Sequence, residues 1–489
     1  MGLSPRTGRG PFPDSKAGVI VLKMFSGDGM RSLALRGTAI TLGGTAFGQI
    51  MRLLSNLVLT RLLFPEAFGM MALVSSFTTG LQMFSDIGLR PSIIQNKRGE
   101  EPDFLNTAWT VQIIRGVILW LGSCALAWPA ARFYGEDQIL WLLPLVGLNA
   151  LIGGFASTKA IVANRNLRLG RQTVIGMAIQ VVSLGSMIGF ALIWPSVWAL
   201  AVGGLVSTTI SVWAGHRFMP GVSNRLRWEP EAARDLIGFG RFIFLSTVAV
   251  FLAGQGDKLF LGRMVGLGDL GIYNIAFFLA AFPGMLGGMV ADRILFPMHR
   301  TVSPLHDPQG FRRLRRARDL VIGGQIALYA VTALLGVWMV DLMYDARYVG
   351  AGPMLVVLSL CLMPKAVMIG SGAILLAQGD SRRFSYLVMA QAVLDILLLV
   401  GGFWLFGLFG VLLSRGVAFL GTYPLQQLFL MRYKATHLGW DMLFVGVSAV
   451  VIALALWLHW DAVVAFFHLS RSLAPAVTGS WQPAAVFAP

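Results

Sequence analysis

Charge is what this sequence has least of. Only 13% of its 489 residues are Asp, Glu, Lys or Arg, while 56% are hydrophobic; soluble domains carry about 25% charged residues. A soluble fold needs charge over most of its outside, and a mean hydropathy of +0.71 leaves apolar surface that only lipid can cover. The composition therefore predicts an all-α polytopic membrane protein. Cysteine is nearly absent: Cys124 and Cys361 both sit in apolar runs, which excludes a disulfide scaffold and a cysteine-ligated metal cluster. No Gly-Lys dipeptide occurs, so there is no phosphate-cradling loop for ATP. The six histidines (His216, His299, His306, His437, His459, His468) are scattered, without the spacing that a metal site requires. Neither a G-x-S-x-G elbow nor an acidic pair suited to glycosyl transfer is found. These absences predict no catalytic residue, no metal and no cofactor.

What is abundant is the apolar stretch of about 20 residues, the length that crosses a bilayer as a helix. Such stretches fall near 37–60, 67–88, 105–131, 138–163, 173–194 and 196–215, then near 236–256, 269–294, 319–340, 351–377, 385–405 and 407–431, with a thirteenth near 441–459. The tail from Trp460 is too broken to give a clear fourteenth. Residues 1–34 are basic, and their apolar run from Gly18 to Leu22 is too brief for a signal-peptide core. The 39 basic residues outnumber 23 acidic ones, but their positions argue for membrane topology rather than for nucleic acid. Sorted by connection, 27 fall on the side of the N-terminus and only 6 on the other, an asymmetry that predicts a cytoplasmic N-terminus. No outward connection has room for a separate domain.

The chain also repeats itself. Leu57, Leu59, Arg61, Leu63 and Gly69 fall on Leu259, Leu261, Arg263, Val265 and Gly271, 202 positions later. Two halves of six spans are the architecture of a duplicated transporter, whose substrate binds between the halves. The expected organisation is a cytoplasmic segment 1–34, an N-lobe 35–216, a cytoplasmic linker 217–235, a C-lobe 236–432, and an extra span with its tail at 433–489. Pro65 should end a helix, Gly69 and Gly271 should permit close helix packing, and Pro283 and Pro364 interrupt spans where a hinge could form.

At these positions the sequence resembles a known family. Leu59-Thr60-Arg61-Leu62-Leu63-Phe64-Pro65-Glu66-Ala67-Phe68-Gly69, Ser85-Asp86-Ile87-Gly88-Leu89 and Ile94-Gln95 are followed by Phe239-Gly240, Asp257-Lys258-Leu259, Leu270-Gly271-Ile272-Tyr273, Ile294-Leu295-Phe296-Pro297 and Leu376-Ala377-Gln378-Gly379. From about residue 35 to 440 the chain resembles Wzx-type polysaccharide flippases (O-antigen and exopolysaccharide exporters) of the multidrug/oligosaccharidyl-lipid/polysaccharide superfamily. The resemblance implies 12 to 14 helices in two lobes around a central cavity. It also implies a bacterial inner-membrane transporter, not an enzyme, that exports a polyprenyl-diphosphate-linked glycan. Membrane lipids, a polysaccharide polymerase and a chain-length regulator are the implied partners. A lipid-linked peptidoglycan-precursor flippase and a multidrug exporter of the same superfamily are the alternatives, with a membrane glycan polymerase or ligase behind them.

Charges inside spans cost several kcal/mol facing lipid and so mark cavities or partners. Lys365 and Arg115 fall near the middle of their spans, and Arg52 and Arg415 in the outer halves. Lys159 and Arg241 lie near span ends, where they can snorkel. Few acids oppose them: Asp395 mid-span, with Asp86, Asp257 and Asp292 near ends. This imbalance predicts that Arg52, Arg115, Lys365 and Arg415 bind the anionic diphosphate. Asp395 either couples an ion to transport or pairs statically with Lys365 or Arg415.

Overall fold

The computed structural model describes residues 30–472 except 87, 167–168, 239–243 and 303–306. Among the described residues the chain is helical, without a strand. Thirteen helical units match the thirteen apolar stretches. The first six are α1 (Met30–Leu62), α2 (Pro65–Phe84), α4 (Pro102–Tyr134), α5 (Gln138–Gly154) with the short α6 (Lys159–Arg165), α7 (Leu169–Ile193) and α8 (Val197–Phe218). Short α3 (Leu89–Gln95) and α9 (Pro230–Gly238) lie on the connections. The second six are α10 (Phe244–Met264), α11 (Leu267–Val290), α13 (Pro308–Leu334), α15 (Ala351–Leu362) continued by α16 (Ser371–Ala377), α17 (Ser381–Phe406) and α18 (Leu408–Met431). Past a π turn at Ala291–Leu295, α11 runs on into α12 (Phe296–Thr301), and α14 (Gly336–Met343) precedes α15. The thirteenth unit is α19 (Leu438–Leu458). It is followed by α20 (Trp460–Arg471), whose 12 residues reach about 18 Å, too short to cross a bilayer.

Ten of these helices are long and apolar enough to span a membrane, and the α5–α6 pair, bent by 63°, makes an eleventh. The chain is a multi-pass membrane protein. The remaining two units, α1 and α10, open the two lobes and carry more polar residues: Gln49, Arg52, Ser55 and Asn56 on one, Gln255, Asp257 and Lys258 on the other. Both line the space between the lobes, so their polar faces need not meet lipid.

Two expected boundaries shift. The seventh span ends about eight residues later than expected, because Asp257 and Lys258 do not break the helix. Asp257 is paired inside the protein, and α10 runs on to Met264. The ninth span starts earlier, at Pro308. Asp307 caps it by accepting a hydrogen bond from the Gly310 amide at 2.8 Å, and Pro308 occupies the first turn, the pairing of cap and proline that opens helices. Arg318, assigned from sequence to a basic connection, is therefore inside α13. It is 2% exposed and donates to Asp441 Oδ1 of α19 at 2.9 Å. Tyr423 and Gln427 of α18 also donate to Asp441, and this buried cluster fastens α19 to the second lobe. Pro364 ends α15 and opens a 3-10 turn carrying Lys365, whereas α11 continues through Pro283. The N-terminal segment 1–29, Arg241, the Phe239-Gly240 pair and the last 17 residues lie outside the described residues.

The lobes meet along α2 and α11, and here the repeat acquires its meaning. A Cβ on Gly69 would stand 1.9 Å from the Leu267 carbonyl oxygen, and one on Gly271 1.9 Å from that of Pro65. The two helices cross backbone to backbone through equivalent glycines. Around the crossing Tyr348 donates to the Leu63 carbonyl at 3.0 Å, Arg347 to that of Arg61 at 3.2 Å, and Tyr134 to that of Leu259 at 3.0 Å. One apolar core containing Leu59, Phe68, Leu261, Leu270 and Tyr273 runs across the junction. These contacts form a closed seam at the end remote from the arginine-rich connections.

Candidate functional site

Behind the seam lies a cavity of about 640 Å³, walled by α1, α2, α7 and α8 of the first lobe and by α10 and α11 of the second. It shares Gly48, Gln49, Arg52 and Gln180 with a second chamber of about 660 Å³ that reaches Asn164, Leu169 and Arg293 at the arginine-rich end. The two form one space, shut by the seam at one end and extending toward the basic connections at the other.

Its chemistry is set by three cations. Arg52 on α1 faces both chambers, with its guanidinium 5.9 Å from the Phe278 ring centroid. Lys258 on α10 lies in the inner chamber, its ammonium 5.9 Å from the ring of the adjacent Phe277. Arg293, on the π turn that prolongs α11, lines the outer chamber. Among the described residues none of the three has a carboxylate within 4 Å, and neither chamber has an acidic residue in its wall. The rest of the lining is neutral: Asn56, Gln180, Ser183, Ser207 and Asn274 alternate with Met and Phe. Such a cavity offers hydrogen-bond donors with fixed positive charge and a soft apolar wall.

The other sequence-predicted residues are placed differently. Arg415 on α18 is partly buried in the second lobe, where Nη2 contacts Asp257 Oδ2 at 2.7 Å and Nη1 donates to the Ala253 carbonyl at 2.8 Å. Tyr273 donates to the same Asp257 carboxylate. Asp395, 6% exposed, and Lys365 lie within electrostatic range of each other and of Arg415, yet no ion pair within 4 Å forms between them. One oxygen of each carboxylate, Asp257 Oδ1 and Asp395 Oδ1, has no hydrogen-bond partner among the described residues. This is a buried charge cluster beside the cavity, and its residues are not in the cavity wall. Arg115 is separate from both: Nε donates to Ser85 Oγ at 3.0 Å and Nη2 to the Gln82 carbonyl at 2.8 Å. It caps the end of α2, where a cation meets the negative end of the helix dipole. Lys159 similarly donates to the His216 carbonyl at the end of α8, at 2.9 Å, instead of snorkelling to solvent.

Of the predicted bases Arg52 lies in the cavity wall, joined there by Lys258, which stands beyond the expected end of the seventh span, and by Arg293, at the very end of the eighth. A signal for Lys258 was present. The repeat pairs the Leu259 to Val265 stretch with a helix that continues to Leu62, so the seventh span had to run past Asp257. Nothing in the sequence marks the π turn that carries Arg293. Among the described residues no group of His, Cys, Asp and Glu could hold a metal ion.

A two-lobed helical membrane protein with a cationic cavity at the lobe interface is the class that this fold and site define. The chain belongs to the polysaccharide biosynthesis protein family, which matches residues 58–353. It is 23% identical over 318 residues to the teichuronic acid biosynthesis protein TuaB of Bacillus subtilis, covering 62% of both chains. It is 24% identical over 340 residues to the succinoglycan biosynthesis transport protein ExoT of Rhizobium meliloti, covering 65% of this chain and 66% of that one. The matched region thus spans somewhat under two thirds of these relatives. In fold it is similar to the lipid II flippase MurJ in an inward closed conformation, with a TM-score of 0.61 at 10% identity over 90% of this chain and 98% of that one.

Proposed function

We propose that this protein is a bacterial inner-membrane flippase that carries a polyprenyl-diphosphate-linked oligosaccharide outward for surface or exopolysaccharide synthesis. The observation that carries the reading is the row of unpaired cations Arg293, Arg52 and Lys258 in a cavity closed at one end by the Gly69–Gly271 seam. The diphosphate supplies the acceptor oxygens that these donors lack. The N-terminus and the arginine-rich connections are cytoplasmic on this reading, so the cavity faces the side where the lipid-linked glycan is made. Residues 35–216 and 236–432 move as two lobes, alternating access around the site, with 217–235 as linker and 433–489 as an appended unit. Asp395, buried with a free oxygen, is the candidate for coupling a proton or Na⁺. A polymerase and a chain-length regulator would take the exported glycan onward. The lack of carboxylates in the cavity wall disfavours the multidrug alternative, since organic cations need acids to hold them.

The test is complementation of a strain whose own flippase gene is deleted, scored by surface polysaccharide. Each charge-assisted contact contributes on the order of 1.5 to 3 kcal/mol, so Arg52→Gln or Lys258→Gln should weaken binding by about 10-fold to 150-fold. Export should fall at unchanged protein level. Full export from the Arg52→Gln/Lys258→Gln double variant would overturn the reading.

A further inference from the structure

A third cavity, of about 1050 Å³, lies on the opposite side of the closed seam. It is walled by the starts of α2, α5, α8 and α11 together with the turns before them, so it sits where the lobes meet on the face away from the arginine-rich connections. Its lining differs in kind from that of the inner space. Trp194 and Trp198 flank the α7–α8 turn, the first 65% exposed and the second partly buried. Glu66, Glu136, Asp269, Gln138 and Ser196 supply the polar groups. No donor reaches either Glu carboxylate among the described residues, and the Ser196 hydroxyl is buried without a partner. Burial first, and the neighbouring Asp137 second, push the Glu136 carboxyl above its ordinary range. The cation in the wall, Arg347, is already engaged: it contacts Asp345 at 2.9 Å, donates to the Arg61 carbonyl and lies 4.7 Å over the Phe64 ring.

Donor and acceptor character decide which ligand fits. Ionised carboxylates only accept, so they suit hydroxyls or an ammonium and repel phosphate and uronate. Indole faces suit the apolar C–H face of a sugar ring, as amphipathic aromatic surfaces do. A volume just above the usual range of about 300–1,000 Å³ accommodates more than one ring. We propose that this cavity is a glycan vestibule: it receives the neutral or amino-substituted sugars of the translocated lipid-linked oligosaccharide, stacking them on Trp194 and Trp198 and accepting hydrogen bonds from their hydroxyls at Glu66 and Glu136. The inference rests on the flippase reading above and adds to it a second site. The inner cavity matches the phosphate end of the cargo, and the vestibule matches the sugar end and rejects phosphate.

The test uses the full chain with Cys124 and Cys361 replaced by alanine and a single new cysteine in the vestibule wall, Ala346→Cys. A membrane-impermeant maleimide is applied to intact spheroplasts. The probe is the repeat-unit oligosaccharide released by mild acid from the host's own surface polysaccharide, compared with inorganic pyrophosphate. At about twice its Kd the oligosaccharide should slow labelling about threefold, and pyrophosphate should not slow it. Adding Trp198→Leu or Glu136→Gln should remove most of that protection while total cysteine, counted after denaturation, stays the same. Failure of the oligosaccharide to protect, or equal protection by pyrophosphate, overturns the vestibule. So does the absence of labelling at both Ala346→Cys and a second wall position, Gln138→Cys, because the cavity would then not face outward. The flippase reading is scored separately by Arg52-dependent export in the same cells, so loss of protection with that dependence intact removes the vestibule alone.

Discussion

Substituting Gly271 by alanine tests whether the seam is a gate. The new Cβ would stand 1.9 Å from the Pro65 carbonyl oxygen, whereas ordinary contact begins near 3.4 Å. The obstacle is backbone, which cannot rotate aside as a side chain can, so α2 and α11 must separate by about 1.5 Å. That displacement takes the Tyr348 hydroxyl, now 3.0 Å from the Leu63 carbonyl, out of hydrogen-bond range. Overpacking of this kind costs about 1–3 kcal/mol. It is incurred only while the seam is shut, so the closed population should fall by about 5-fold to 150-fold relative to a state with the lobes apart. Spin labels at Asp137→Cys and Val349→Cys, one on each lobe, would report the change as a longer-distance population in double electron–electron resonance. Export should fall in parallel, because the cycle stalls when one state is disfavoured. Gly69→Ala should act the same way, since its Cβ would meet the Leu267 oxygen at the same 1.9 Å. An unchanged distance distribution and full export in the Gly69→Ala/Gly271→Ala double variant would refute the gate.

Arg115→Gln should behave opposite to Arg52→Gln: it removes the cap of α2 and should lower membrane protein level, with any loss of surface glycan in proportion, measured by immunoblot against glycan staining. Arg415→Gln strands Asp257 in the lobe interior and should destabilise by about 3–5 kcal/mol; adding Asp257→Asn should restore much of the protein level in a thermal-shift assay of the purified chain. If Asp395 couples an ion, Asp395→Asn should export at a rate indifferent to collapse of the proton or Na⁺ gradient, and retained gradient sensitivity would remove that role. Reporter fusions after Arg98, Arg171 and Pro230 should all indicate cytoplasm and fusions after Gly135 and Gly266 the opposite side; one reversal would break the inward orientation of the cavity.

The spans were legible because lipid imposes one requirement on every residue that faces it, and a run of about 20 apolar residues satisfies that requirement locally. The seam was legible in part. Gly69 and Gly271 stood at equivalent places in the repeat, and small residues are what close helix approach demands, although only the structure shows that they meet each other. Charge partners were not legible. Arg415 and Asp257 are 158 positions apart, and nothing local to either distinguishes a paired base from a free one. Arg318 shows the same limit in reverse: among seven basic residues from Arg293 to Arg318 it reads as one more loop cation, while its partner Asp441 arrives from the thirteenth helix. Lys258 was misplaced because an Asp-Lys pair inside an apolar stretch looks like its end, and only the burial of Asp257 against Arg415 and Tyr273 lets the helix continue.

Depth along a span therefore does not separate binding cations from structural ones; the partner does. A base within a span must be satisfied by an acid, by a carbonyl, or by water and ligand in a cavity. Arg318 and Arg415 take the first route, Arg115 and Lys159 the second. Arg52, Lys258 and Arg293 have only the third. The rings of Phe278 and Phe277 hold two of them at 5.9 Å, an interaction contributing about 0.5 to 2 kcal/mol. A phosphate oxygen gains about 1.5 to 3 kcal/mol from each such donor, enough to draw the cation off its ring without leaving it stranded when the ligand departs. On the proposed function, cations resting on aromatic faces can thus exchange a diphosphate at small cost in either direction. A flippase needs that reversibility, and a buried carboxylate in the same position would prevent it by holding the base in a pair.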